Sequence, residues 1–178
     1  MRGAMLDLET MGTRSNAPVV AIGACGVDPE TGEVWGSFHQ VIDLADAMKF
    51  GQADGDTITW WLNQSDAARK IFSPFELRAA LSVALISFAE WCHGTVGPRK
   101  SIEMWGNGSD FDNVVLGNAY RETGLDLPWL FRNNRCYRTA KSLAPEIPFV
   151  RMGVHHNALD DALSQAHHLV KVFKEVKK

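Results

Sequence analysis

The chain has 178 residues, of which 46% are hydrophobic and 22% are charged, and its formal net charge is -3. This length suffices for one hydrophobic core and the composition is typical of a globular protein, so we expect a single domain over residues 1–178 rather than a disordered chain. The slightly acidic total also argues against binding of polyanions over the whole surface, so any nucleic acid would be bound locally.

The first part of the chain predicts three β-strands. Residues 4–10 (AMLDLET) are an apolar run that ends in two carboxylates, residues 19–27 (VVAIGACGV) are β-branched or small, and residues 34–44 alternate between apolar and polar. Such runs, bounded by polar turns, are typical of strands. We expect residues 18–43 to form a hairpin and the three strands to form an antiparallel meander.

The rest of the chain combines helical patterns with one short strand, because its apolar residues mostly recur at three and four positions. The predicted elements are a helix over residues 56–72 capped by Asp56 or Thr57, an amphipathic helix over 75–91, a strand over 102–108, a helix over 109–124 ended by Gly124, loops over 125–155 and a helix over 158–176. Strands followed by alternating helices and strands indicate an α/β fold with a mixed sheet.

The two carboxylates of the first predicted strand are Asp7 and Glu9. Residues two apart on a strand point to the same face, so these side chains would lie next to each other and repel. A cation between them would remove that cost, and Mg²⁺ takes oxygen ligands of this kind. For the pair taken alone, a solvated sheet edge is the alternative.

Two further acidic groups occur at the starts of predicted helices. Residues 107–112 (NGSDFD) include Asp110 and Asp112, and residues 155–161 (HHNALDD) place two histidines before two aspartates. Taken singly, each group fits helix capping or a surface charge, because carboxylates stabilise helix N-termini. Capping suits Asp110 well.

Together the three groups resemble, in order, the motifs of the DEDDh 3′-to-5′ exonucleases of the ribonuclease H-like superfamily. DLET (residues 7–10) matches D-x-E, NGSDFD (residues 107–112) matches N-x-x-x-F-D, and HNALDD (residues 156–161) matches H-x-A-x-x-D. Ribonuclease T and the proofreading subunit of bacterial replicative polymerase are members; the flanking residues are most similar to small exonuclease VIII-like or Rv2179c-like proteins of phages and bacteria. The resemblance implies a ribonuclease H-like mixed sheet, with antiparallel strands one to three and parallel additions, flanked by helices.

The resemblance also implies an activity and a set of catalytic residues. Asp7, Glu9, Asp112 and Asp161 would bind two divalent metal ions, Mg²⁺ or Mn²⁺, and His156 would act as general base. Asp7 would bridge both ions, Glu9 and Asp161 would complete one site, and Asp112 would serve the other. The implied reaction hydrolyses phosphodiester bonds at the 3′ end of DNA or RNA and releases nucleoside 5′-monophosphates. The helical wheel alone points Asp161 away from its apolar stripe, so only the motif directs it to the sheet.

Residues in and beside the motifs are candidate substrate contacts: Leu8, Thr10, Met11, Trp61, Asn107 and Arg138. Core packing is the alternative for Leu8 and Met11. Trp60 and Trp61 cannot face the same core, so we expect one to pack inside and the other to stack on a base. Between Arg132 and Arg151 there are five basic residues and one acidic residue, which form either a phosphate track or a solvated basic loop.

The predicted partner is a nucleic acid with a free 3′ end, single-stranded or as a 3′ overhang, and a homodimer is a further hypothesis. A catalytically weak or inactive single-strand-binding module of the same fold is the alternative function. No motif separates DNA from RNA, because that choice depends on contacts to the 2′-hydroxyl. Three dispersed cysteines without metal-ligand spacing and the lack of a membrane-length apolar run favour a cytoplasmic protein without a membrane partner.

Overall fold

The structure is a computed structural model that describes residues 2–177. Its strands are β1 (Gly3–Thr10), β2 (Val19–Asp28), β3 (Glu33–Ile42), β4 (Arg78–Ala79), β5 (Glu103–Gly106) and β6 (Asn134–Cys136). They form one sheet in the order β4-β3-β2-β1-β5-β6. Strands β1 to β3 pair antiparallel, whereas β4, β5 and β6 join in parallel. The predicted mixed sheet is confirmed, although β4 and β6 lie in segments predicted to be helix and loop.

The α-helices are α1 (Leu44–Ala47), α2 (Gly55–Leu62), α3 (Asp66–Arg69), α4 (Leu81–Trp91), α5 (Asp112–Glu122), α6 (Tyr137–Lys141) and α7 (Ala158–Val176). Helix α7 has the predicted bounds, and Gly124, at a φ of +71°, ends α5 as predicted. Within residues 2–177, the structure contains no helix with the length and apolar character of a membrane span.

The sheet separates two cores, and alternation along β1 decides which residues enter each. Ala4, Leu6 and Leu8 pack with α4 and α5 on one face. Met5 packs with α7 on the other face. Because side chains alternate along a strand, Asp7 and Glu9 continue the row of Met5 on the α7 side. The acidic pair therefore lies at the end of a buried row and faces α7.

The prediction of a single helix over residues 56–72 is wrong, because this segment is not one continuous helix. It is divided into α2, α3 and a 3₁₀ turn, because Ser65 accepts a hydrogen bond from the Ala68 N–H and begins a new helix. The cap of α2 is Asp54, which accepts a hydrogen bond from the Thr57 N–H at 2.7 Å, rather than Asp56 or Thr57. The chain therefore turns at this point instead of continuing as one rod.

Two other helix starts differ from the prediction. Residues 75–80 are not helical: Arg78 and Ala79 pair with β3, and Asp46 accepts a hydrogen bond from the Leu81 N–H, which begins α4 there. Asp110 does not cap α5, because Phe111 occupies the N-cap position without a side-chain hydrogen bond. Asn113 in the first turn of α5 instead donates to the Met104 carbonyl of β5 at 2.8 Å.

Candidate active site

Two glycines let the helices that carry the second and third motifs approach the sheet. Gly23 lies opposite Asp7 in the β1–β2 pair, and a Cβ at Gly23 would overlap the backbone of Ala158 in the first turn of α7. Gly106 ends β5, and a Cβ there would overlap the side chain of Asn113 in the first turn of α5. A larger residue at either position would displace the helix. The N-termini of α5 and α7 are therefore both held close to β1.

This packing brings the four predicted acidic side chains to one cavity of about 460 Å³. Carboxylate oxygens of Asp7, Glu9 and Asp161 lie within 4.8 Å of one another. Asp112 approaches beyond the end of β5, where its Oδ1 accepts a hydrogen bond from the Leu8 N–H at 3.3 Å. Glu9 and Asp161 are only 6% and 8% exposed. The three motifs thus form a single buried acidic cluster.

Burial of the cluster disfavours its ionised form. Loss of solvation, together with the charges of Asp161 and Asp112, raises the pKa of Glu9 to about 8. The pKa of Asp7 is raised well above its ordinary value by burial and by its acidic neighbours, against a stabilising hydrogen bond from Gln165 at 2.7 Å. Without a cation, the cluster therefore retains protons near neutral pH.

Asp112 differs from the other carboxylates in its partners. Burial raises its pKa to about 7, while the Leu8 N–H and the charge of Arg138 act in the opposite direction. The Arg138 guanidinium also donates to the carbonyl of Asn107 at 2.8 Å, and this hydrogen bond holds the arginine side chain at the loop before α5. Asp112 is therefore fixed by the backbone and by one nearby positive charge.

Asp161 is reached from the loop that precedes α7. Arg151 forms an ion pair with its Oδ1, and the His156 N–H donates to its Oδ2 at 2.9 Å. His156 has a φ of +62°, a left-handed backbone conformation that is uncommon for residues other than glycine. Its ring contacts Trp60 edge to face, with centroids 4.7 Å apart. Burial, and next the charge of His155, lower the pKa of His156 against the effect of Asp161.

The helical wheel pointed Asp161 away from the apolar stripe of α7, yet Asp161 is buried. The reason is that the polar face of α7 is covered as well as the apolar one. Residues 147–153 cross this face, where the Met152 N–H donates to Ser164 Oγ at 2.8 Å and His168 Nε2 lies 2.9 Å from the Ile147 carbonyl oxygen. The polar residues beneath the crossing segment are consequently buried. Periodicity reports only the apolar face, so it could not show that a loop would enclose the other.

The donors of the cluster fit the divalent cations that the motif resemblance implies. Three carboxylates converge, and such oxygen ligands are the ones that Mg²⁺ and Mn²⁺ prefer. Within residues 2–177, Asn107 Oδ1 and Gln165 Oε1 are also buried side-chain oxygens without a hydrogen-bond partner, and both residues line the cavity. A cation would offset the charge of the converging carboxylates. Gln165 belongs to none of the three motifs. Its position four residues after Asp161 nevertheless places it on the same face of α7.

The predicted substrate residues are distributed unevenly around the cluster. Leu8, Asn107 and Arg138 line the 460 Å³ cavity, and Leu8 and Thr10 also line a neighbouring cavity of about 630 Å³. Met11 lines neither cavity and packs in a core cluster, which corrects its assignment as a contact. Packing at this position outweighs its closeness to the acidic pair in sequence.

Of the two tryptophans, Trp61, given above as a candidate contact, is the buried one, and Trp60 is the exposed one. Trp61 is 3% exposed and its Nε1–H donates to the Thr10 carbonyl at 3.0 Å, so it packs in the core although it also lines the larger cavity. Trp60 is 41% exposed and lines the same cavity. The adjacent positions could not be told apart by sequence pattern, because α2 has only eight residues and long-range contacts such as that of Trp61 with Thr10 decide which ring is buried.

The five basic residues from Arg132 to Arg151 do not all line the acidic cavity. Arg138, Lys141 and Arg151 line the acidic cavity. Arg135 instead pairs with Glu103 at 2.7 Å, and Arg132 lies outside the cavity lining. Three of the five basic residues predicted as a phosphate track therefore line the cavity.

The acidic cluster predicts a pH-dependent effect of metal on stability. Unfolded carboxyls have pKa values of about 4, so raised values in the folded protein contribute stability at low pH that is lost as the pH rises towards about 8. A bound cation removes this loss. We expect the gain in melting temperature on adding Mn²⁺ or Mg²⁺ to be larger at about pH 8 than at about pH 5. Thermal denaturation in EDTA and in metal measures it; equal gains at both pH values would contradict the prediction.

Solved structures identify the fold of the chain. The nuclease domain of 3′hExo, a DEDDh family member solved with rAMP, has a TM-score of 0.64 at 13% identity and is matched over 98% of this chain and 92% of that one. E. coli exonuclease I in complex with a dA16 oligonucleotide has a TM-score of 0.61 at 19% identity, over 98% of this chain and 42% of that one. The fold is that of the ribonuclease H-like DEDDh exonucleases, as the motifs predicted.

Sequence comparisons define the family. The family model described as the 3′-5′ exoribonuclease Rv2179c-like domain matches residues 2–173. The chain belongs to this family, which confirms the resemblance. An exodeoxyribonuclease of Enterobacteria phage T4 is 28% identical over 127 residues, which are 66% of this chain and 55% of the relative. The chain therefore matches little more than half the length of that curated protein.

Proposed function

We propose that this chain is a divalent-metal-dependent 3′-to-5′ exonuclease that releases nucleoside 5′-monophosphates. Membership of a 3′-5′ exoribonuclease domain family supports the class of reaction. The observation that carries the proposal is the convergence of Asp7, Glu9, Asp112 and Asp161 on one cavity that His156 also lines. Metal dependence and the identity of the product are parts of the proposal that rest on this cluster.

Each residue of the cluster has a chemical task in this proposal. Asp7, Glu9 and Asp161 would hold one cation and Asp112 would contribute to a second. When bound, the cations supply a nucleophile at neutral pH and stabilise charge on the phosphate and the leaving oxygen. His156 is neutral near pH 7 because burial lowers its pKa, so its ring can accept a proton from the attacking water.

The two cavities provide places for the parts of a 3′-terminal nucleotide. Arg138 and Lys141 line the acidic cavity and would contact phosphate oxygens as cations. The neighbouring 630 Å³ cavity shares Leu8 and Glu9 with it and has the exposed ring of Trp60 on its wall. We propose that the terminal base enters this second cavity and stacks on Trp60, since base stacking is largely independent of sequence. The substrate would then be single-stranded at its 3′ end.

Substitution of the two tryptophans tests the placement of the base. Trp60→Ala is expected to raise KM for an oligonucleotide about tenfold or more, because a stacking contact contributes about 1–3 kcal/mol, with little change in melting temperature. Trp61→Ala is expected to destabilise the fold by about 3–5 kcal/mol, because it leaves a cavity in the core. Steady-state kinetics and thermal denaturation measure both. Similar effects of the two variants on stability would contradict the assignment.

A matched pair of aspartates tests the proposed function itself. Asp110 is exposed and two residues before Asp112, so Asp110→Asn and Asp112→Asn each remove one carboxyl group from the same loop and helix start. Release of mononucleotides from a labelled oligonucleotide in Mg²⁺ or Mn²⁺ should persist in Asp110→Asn, be lost in Asp112→Asn and stop with EDTA. A native chain that binds single strands but releases no nucleotide would support the binding-module alternative.

A further inference from the structure

We propose a second metal site, formed by His155, His156 and Asp161, that takes Zn²⁺ or a related transition metal and shares Asp161 with the carboxylate cluster. A ring nitrogen of each histidine and a carboxylate oxygen of Asp161 lie within 4.8 Å of one another. His155 is exposed, and all three residues line the 460 Å³ cavity. An ion can therefore reach the group from solvent.

The backbone holds the two imidazoles together before any ion binds. Their rings are stacked, with centroids 3.6 Å apart and planes inclined by 23°. The Val154 N–H donates to Asp160 Oδ2 at 2.7 Å, and Asn157 caps α7 through the N–H groups of Leu159 and Asp160. The hydrogen bond from the His156 N–H to Asp161 then fixes the third ligand relative to the rings. Binding of one ion by both rings would require the stacked imidazoles to rotate, because a ring nitrogen binds a metal in the plane of its ring.

The donor set selects a transition metal over Mg²⁺. Two imidazole nitrogens and one carboxylate oxygen are a ligand set of Zn²⁺, with a fourth position open to water. Mg²⁺ prefers oxygen ligands and would remain with Asp7 and Glu9. In the structure, Arg151 forms an ion pair with Asp161 Oδ1. Zn²⁺ would either displace the guanidinium from this oxygen or bind a lone pair of the carboxylate that Arg151 does not use.

Occupation of this site would block the exonuclease. Asp161 belongs to both ligand groups, so one carboxylate would serve two cations. His156 could not accept a proton while its ring nitrogen binds Zn²⁺. This consequence rests on the proposed function, whereas the binding of Zn²⁺ does not. The structure therefore predicts inhibition by Zn²⁺ in the presence of excess Mg²⁺.

Binding is tested without reference to activity. Calorimetric titration with Zn²⁺, and the visible spectrum of added Co²⁺ as a probe of nitrogen ligands, are measured for the native chain, His155→Asn and the control His93→Asn, whose histidine is exposed and outside both cavities. We expect His155→Asn to weaken Zn²⁺ binding at least about 100-fold, because it loses a direct ligand, and His93→Asn to leave it unchanged. Equal affinity in the native chain and His155→Asn, or no binding by the native chain, would overturn the site.

Inhibition is then measured for the same three proteins in Mg²⁺, with each rate divided by that of the same protein without Zn²⁺. Half-inhibition should require at least about 100-fold more Zn²⁺ in His155→Asn than in the native chain or His93→Asn. Identical inhibition of all three would show that Zn²⁺ acts at the carboxylate cluster and would overturn the proposal. If no protein hydrolyses nucleic acid, the proposed function fails, and the titrations still decide whether the zinc site exists.

Discussion

Replacing Glu9 by glutamine is expected to reduce hydrolysis at least about 100-fold and, at the same time, to raise the melting temperature of the metal-free protein. Activity falls because the cluster loses a carboxylate that would hold a cation. Stability rises because glutamine keeps the shape of Glu9 and removes a charge whose ionisation is opposed by burial, Asp161 and Asp112. For a chain of this size, each kcal/mol of relieved repulsion corresponds to about 2–4 °C.

The dependence of that gain on pH distinguishes repulsion from a change in packing. With a pKa of about 8, Glu9 is largely protonated at about pH 6 and largely ionised at about pH 9. The rise in melting temperature should therefore be small at the lower pH and larger at the higher one, and Mn²⁺ should no longer stabilise the variant. Glu90→Gln on α4, outside both cavities, is the matched control. A variant less stable than the native chain in EDTA at about pH 9 would contradict the electrostatic account.

The second large effect is expected from His156→Asn, which should lower kcat by about 10²–10⁴-fold, the range for loss of a general base. Asparagine is chosen because it tolerates the left-handed backbone of this position, where His156 has a φ of +62°. The fold should therefore survive the change. The stabilisation of the protein by Mg²⁺ should also survive, because Asp7, Glu9 and Asp161 remain.

The shape of the pH profile separates a base from a structural residue. The native rate should fall at acid pH as the imidazole of His156 becomes protonated, with its midpoint shifted to lower pH by burial. In His156→Asn this component of the acid limb should disappear. Single-turnover rates across pH, with Mg²⁺ held at saturation, measure it. An unchanged profile in the variant, or a full rate, would show that another group accepts the proton.

The sequence predicted the cluster well because each motif has a local physical basis. Asp7 and Glu9 share a strand face by the two-residue period, and Ala158–Val176 shows an apolar stripe long enough to define its helix. The place where the motifs meet depends on long-range packing at Gly23 and Gly106. No local pattern reports such contacts, so only the resemblance brought the motifs to one site.

The failures have different causes. A segment with helix propensity over residues 56–72 is interrupted by the cap at Ser65, and the three residues of β6 are too few to show alternation. Asp161 is enclosed by a loop from outside its helix, and Gln165 joins the site through its hydrogen bond to Asp7, a contact between α7 and β1. Trp60 and Trp61 differ by one position, and long-range packing of Trp61 decides which of them is buried. Tertiary contacts decided each case.

The most direct test of the proposed 3′-to-5′ exonuclease activity follows cleavage of matched DNA and RNA oligonucleotides, labelled at either the 5′ or the 3′ end, with Mg²⁺ or Mn²⁺. Asp7→Ala is the inactive control. We expect that 5′-labelled strands shorten one nucleotide at a time, that 3′-labelled strands release labelled mononucleotide at once, and that both products vanish in Asp7→Ala and in EDTA. The ratio of the DNA and RNA rates then identifies the preferred sugar. Internal cleavage, shortening from the 5′ end, or an undiminished rate in Asp7→Ala would contradict the assignment of this acidic cluster as a 3′-to-5′ exonuclease site.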